Sequence, residues 1–142
     1  MPTTLSSILA LDVGTKRVGV AVASLAARLP RPLITLARGD NFFEELRQTA
    51  NKEDISAIVV GLPRGLDGQH TPQTESTEKF VDQLRREIDL PVHLQDEALT
   101  SKKAEAELEA RGGPYDREAV DALAATYILE DFLAEREKGT GR

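Results

Sequence analysis

At 142 residues and a net charge of −6, the chain is long enough for one domain and too acidic to coat nucleic acid non-specifically, although a local basic patch still binds phosphate. The absence of cysteine excludes thiol catalysis, disulfides and cysteine-ligated zinc. Apolar residues make up 40% but aromatics only 4%, so the core must come mainly from Val, Ile, Leu and Ala; no apolar run reaches membrane-spanning length and no signal-peptide pattern opens the chain, so a soluble cytoplasmic protein is expected.

In chain order, "ILALDVG", "RVGVAVAS" and "PLITLAR" are short β-branched-rich runs separated by turn-forming or basic residues, and they predict an antiparallel meander. "NFFEELRQTANKED" follows as a helix with Asn41 at its N-cap and Phe43, Leu46 and Ala50 at helical spacing. "ISAIVVGLP" reads as a buried strand ending at Gly61 and Pro63, before the Gly-rich loop "RGLDGQH". A helix begins near Thr71, with Pro72 pre-set for its first turn and Phe80, Leu84 and Ile88 stacked four apart. "PVHLQ" is a short strand, and the chain from Thr100 to about Arg136 is helical, broken by "RGGPYD" at 111–116. The order βββαβαβαα predicts an α/β fold with a mixed five-stranded sheet, three antiparallel strands then parallel ones, and helices on both faces. A single domain over 1–138 with a disordered tail at 139–142 is expected, and functional groups should gather at strand ends.

Three acids occupy places where an ordinary surface charge would not sit. Asp12 ends the first strand on the face of Ile8 and Ala10, and burying an unpaired carboxylate costs several kcal/mol. Either amides of the Gly14 turn satisfy it, or a cation does. Asp96 and Glu97 follow the strand "PVHLQ" directly, as adjacent acids in a loop that are either solvated, helix-capping or functional. Asp121 projects between Ile128 and Phe132 on a helical wheel, inside the apolar face, with Arg117 one turn earlier as an alternative partner. Its small neighbours Ala122, Ala124 and Ala125 would let the helix lie close to the sheet. Acids converging from these elements need a cation, because repulsion would otherwise raise their pKa values. Oxygen donors without a His cluster point to Mg²⁺ or Mn²⁺, and isolated His70 and His93 read as ordinary polar residues.

The segments "DVGTKRVGVA" (12–21), "GLPRGLDG" (61–68), "DEALTS" (96–101) and "VDALAA" (120–125) together resemble the signature segments of the YqgF family, also called RuvX. These are bacterial RNase H-like nucleases associated with Holliday-junction resolution and with pre-16S rRNA processing. The resemblance spans nearly the whole chain in the expected order. It implies an RNase H-like fold with metal-binding, catalytic acids at Asp12, Glu97 and Asp121, Asp96 as a helper ligand, and two ions driving hydrolysis that leaves a 5′-phosphate. One departure stands out: Ala98 occupies the position where the family usually carries arginine, leaving Arg64 or Arg17 to supply that group.

Lys16, Arg17, Arg64, Lys102 and Lys103 are the candidate phosphate contacts, and contacts confined to the backbone would suit an endonuclease that tests shape more than sequence. Branched DNA and precursor rRNA are both compatible partners, and a resolvase cutting two symmetric strands favours a homodimer. Two other readings stay open: a catalytically silent nucleic-acid or ribosome-assembly module, and an ATP-binding hairpin of the actin and Hsp70 type, which needs a second domain to enclose the nucleotide.

Overall fold

The computed structural model describes residues 6–65, 67–97 and 100–140, with the side chains of 100–102 and 137–140 outside the description. Its elements are β1 (Ser7–Val13), β2 (Arg17–Ser24), β3 (Arg31–Ala37), α1 (Phe42–Lys52), β4 (Ile55–Pro63), α2 (Pro72–Glu87), β5 (Val92–Glu97), α3 (Thr100–Ala110) and α4 (Arg117–Thr140). The strands lie in the order β3-β2-β1-β4-β5. β1, β2 and β3 form the antiparallel meander, while β4 runs parallel to both β1 and β5. A short turn can only reverse the chain, whereas α1 and α2 carry it back so that it re-enters the sheet in the same direction. The mixed sheet predicted from the element order is therefore the one that forms.

Period-two alternation divides the apolar residues between two faces. Leu9, Leu11, Val18, Val20, Ile58 and Val60 meet Phe42 and Leu46 of α1 and Phe80, Val81 and Leu84 of α2. On the opposite face Ile8, Ala10, Ala21, Ala23 and Val59 meet Ala125, Ile128, Leu129 and Phe132 of α4. α3 packs on α4 through Ala104, Val120, Leu123, Ala124 and Tyr127. The small residues on the α4 face matter for approach: a methyl group added at Gly19 would overlap the Asp121 carbonyl and sit 2.8 Å from the Ala122 nitrogen. The helix backbone thus rests directly on β2, held there by a residue without a side chain.

Local details depart from the sequence reading in four places. In α1 the buried residues are Phe42, Leu46 and Ala50, with Phe43 only partly buried against the same core, because the unbroken spacing of four starts at Phe42. Asn41 occupies the N-cap position but makes no side-chain capping bond. Asp96 and Glu97 are strand residues, not loop residues: they extend β5 by pairing opposite Leu62 and Pro63 of β4. α2 begins as expected, with a capping box in which Thr71 and Thr74 satisfy each other's backbone amides and Pro72 follows the cap. α4 continues to Thr140, past the predicted end near Arg136 and into the segment read as a tail. Among the described residues no helix is long and apolar enough to cross a membrane.

Candidate active site

Asp12 lies opposite Gly19 in the β1–β2 ladder and faces α4, as alternation from Ile8 and Ala10 requires. Gly19 is the point where α4 touches the sheet, and the residue of α4 at that contact is Asp121. Two carboxylates are consequently brought together by the absence of a side chain between them. The Asp12 carboxyl is pushed up to about 7, first by burial and then by the negative charge of Asp121. Asp121 has its own partner: Arg17 Nε donates to its Oδ2 at 2.7 Å. Arg117, the alternative partner read from helical spacing, instead donates to Glu105 at 2.9 Å and ties α4 to α3.

β5 sends its two acids to opposite faces. Gln95 and Glu97 point toward α4, where Gln95 Nε2 donates to Glu135 at 2.9 Å. The Glu97 carboxyl is pushed up to about 8 by burial, by its hydrogen bond with Asp131 and by the charges of Asp131 and Glu135, against the opposing pull of Lys103. Asp96 is exposed on the other side and accepts from Arg64 Nε at 3.3 Å. The predicted gathering of Asp12, Asp96, Glu97 and Asp121 is therefore divided, and among the described residues no group of three or more His, Cys, Asp or Glu side chains could hold a metal ion. Asp12 sits with Asp121, Glu97 sits with Asp131 and Glu135, and strand alternation turns Asp96 away from both. Asp131 and Glu135 escaped the sequence reading, although their spacing of four beside Phe132 was a usable signal.

The basic residues flank this end of the sheet. The β1–β2 turn closes through Gly14 N–H donating to the Arg17 carbonyl at 2.8 Å and leaves Lys16 exposed. Arg38, another residue the sequence reading passed over, braces that turn: its Nη1 donates to the Gly14 carbonyl at 2.8 Å and its guanidinium lies 5.1 Å from the Phe80 ring centre. Arg64 N–H donates to the Glu97 carbonyl at 2.9 Å, which holds Arg64 beside the end of β5. Lys103 sits 4.4 Å from the centre of the Tyr127 ring. The Lys102 side chain and Ala98 lie outside the described residues. His70 pairs with Glu78 at 3.0 Å and His93 packs on Phe132, in line with their reading as ordinary residues.

The donor set at the Asp12–Asp121 contact fits a hard divalent cation. Two acids near enough for the charge of Asp121 to raise Asp12 offer oxygen ligands, and a cation between them would remove that repulsion.

Comparison with known proteins places the chain among relatives. The RuvX family, described as Holliday junction resolvase, matches residues 6–135. Over 132 residues the chain is 40% identical to the "Putative pre-16S rRNA nuclease" of Maridesulfovibrio salexigens, covering 89% of this chain and 97% of that relative. A protein of the same name from Nitratidesulfovibrio vulgaris is 41% identical over 129 residues, covering 88% and 91% of the two chains. The structure of RuvC from T. thermophilus in complex with a Holliday junction substrate has a TM-score of 0.50 over 92% of this chain and 96% of that one; at 17% identity it bears on the fold alone. The span of the match encloses all four signature segments and both carboxylates of the close pair, and with an RNase H-like sheet beneath them the chain belongs to the RuvX family of nucleases.

Proposed function

We propose that the protein is a metal-dependent endonuclease that hydrolyses phosphodiester bonds in structured nucleic acid, with precursor 16S rRNA as its first-choice substrate and four-way DNA junctions as the second. The observation that carries this reading is the closeness of Asp12, near the carboxyl end of β1, to Asp121, whose backbone rests on Gly19 of β2. Asp12 and Asp121 would hold Mg²⁺ or Mn²⁺, while Glu97, on the same sheet face but seated with Asp131 and Glu135, would offer oxygen donors to a second ion. Bound there, such ions would supply polarisation of the phosphodiester and a lowered pKa of water, with 5′-phosphate products expected in the RNase H-like manner.

The chain's own residues supply positioning. Lys16 presents an exposed ammonium on the turn that follows Asp12, and Arg38 holds that turn by its Gly14 carbonyl. Arg64 and Lys103 border the end of β5, so a phosphate backbone crossing the sheet edge meets cations on both sides of the acids. The names of the curated relatives favour rRNA, and the family description favours a DNA junction, for which symmetric cutting would call for a homodimer.

The test is cleavage of a 5′-extended 16S precursor and a synthetic four-way junction, side by side, with Mg²⁺ or Mn²⁺. Asp12→Asn should abolish cutting while binding stays equal or tightens, because one negative charge facing phosphate is gone. Metal-independent cutting, or cutting that survives in Asp12→Asn, overturns the mechanism. Binding without cleavage on both substrates makes the protein a silent module of the same fold.

A further inference from the structure

We propose that Arg17 is an internal counter-cation that competes with the divalent ion for Asp121, so that loading the metal releases its guanidinium toward the phosphate of the nucleic acid. This rests on the metal reading of the Asp12–Asp121 pair. Arg17 opens β2, immediately after the turn that follows Asp12, and reaches across to α4. Its Nε lies 2.7 Å from Asp121 Oδ2, a charge-assisted bond between a 35% exposed guanidinium and a 16% exposed carboxylate. The guanidinium therefore spans from a mostly buried acid to the surface and carries further N–H donors beyond the one given to Asp121.

Asp121 is shared by two acceptor roles. It repels Asp12 on one side and accepts from Arg17 on the other. A divalent ion bound to it would stand within a few ångströms of a fixed positive charge, because Arg17 Nε lies only 2.7 Å from Asp121 Oδ2. The two cations then exclude one another. Coupling of this kind is reciprocal: metal weakens the Arg17–Asp121 bond to the same extent that Arg17 weakens metal binding. In the metal-free chain the arginine neutralises part of the acidic pair; in the loaded chain it is free to bind phosphate. Arg117 has no comparable role, since its guanidinium is held by Glu105.

The experiment is a Mn²⁺ titration followed by electron paramagnetic resonance of the free ion, without nucleic acid, on wild type, Arg17→Gln, Arg17→Lys and Asp121→Asn. Arg17→Gln is expected to bind Mn²⁺ about three- to fivefold more tightly than wild type, the upper scale of one partly exposed charge pair, and to melt lower when metal-free. Arg17→Lys, which keeps the charge, should stay within about twofold of wild type on the same scale. Unchanged or weaker binding by Arg17→Gln, with wild type binding and Asp121→Asn not, overturns the competition and leaves the metal site standing. No Mn²⁺ binding by any form, or equal binding by Asp121→Asn, overturns the metal reading and the competition with it. The Arg17 Nε–H resonance of wild type is the second readout: addition of Mg²⁺ should move it toward the position of a free guanidinium. A resonance that stays in place while Mg²⁺ binds overturns the proposal whatever the variants do.

Discussion

Replacing Asp12 by Asn should make the metal-free protein more stable at neutral and alkaline pH, the opposite of what deletion of a well-paired group does. The Asp12 carboxyl titrates at about 7 in the folded chain against an ordinary value of 3.8, because burial and Asp121 both disfavour its charged form. Between those values the folded chain holds a proton that the unfolded chain has lost. Stability therefore falls as pH rises through this window and is flat above it. The gap amounts to about 4 kcal/mol as an upper bound, and solvent at the half-buried strand end reduces it to about 2 kcal/mol. For a domain of this size that is about 6 °C of melting temperature. Glu97 adds a slope of the same sign, since its carboxyl is likewise pushed up, to about 8. Its contribution is common to both proteins and cancels in their difference. Thermal melts followed by circular dichroism in a chelator, from pH 4 to pH 8, should show Asp12→Asn ahead by about 6 °C at pH 8 and level with wild type at pH 4. Divalent metal should then stabilise wild type and not the variant. An advantage that is absent at pH 8, or equally large at pH 4, refutes the reasoning that burial and repulsion set the state of Asp12.

The two glycines under α4 separate backbone from side-chain crowding. Gly19→Ala drives a methyl into the Asp121 backbone and should cost about 3 kcal/mol in urea denaturation, while Gly61→Ala meets only the Ile128 side chain, with Cγ1 at 2.9 Å, and should cost about 1 kcal/mol. Equal costs would show that α4 is not seated on β2 as described. Thr71→Ala removes one half of the α2 capping box and should lower stability by about 1 kcal/mol without changing nucleic-acid cleavage; both are read in the same preparation.

Much of the site was legible in local pattern. Period two places Asp12 on the Ile8–Ala10 face, and the helical wheel places Asp121 on the apolar stripe of α4, so both were predicted to face the same layer before any contact was known. The alanines around Asp121 implied close approach, and the structure realises it at Gly19. The placement of Glu97 was less legible. Its position at a strand end was visible, but whether β5 stopped before or after it depended on how far β4 offered a partner, and Leu62 and Pro63 do. That extension by two residues is what separates Asp96 from Glu97.

The sequence by itself determined the elements, their order and which face of each is apolar, because these follow from spacing along one chain, where each residue's neighbours are known. Only the tertiary structure decided the partners: Arg17 and not Arg117 for Asp121, Asp131 and Glu135 for Glu97, Arg38 for the β1–β2 turn. A charge chooses among partners by distance and burial, and for residues 104 positions apart, as Arg17 and Asp121 are, both quantities exist only once the helix has settled on the sheet.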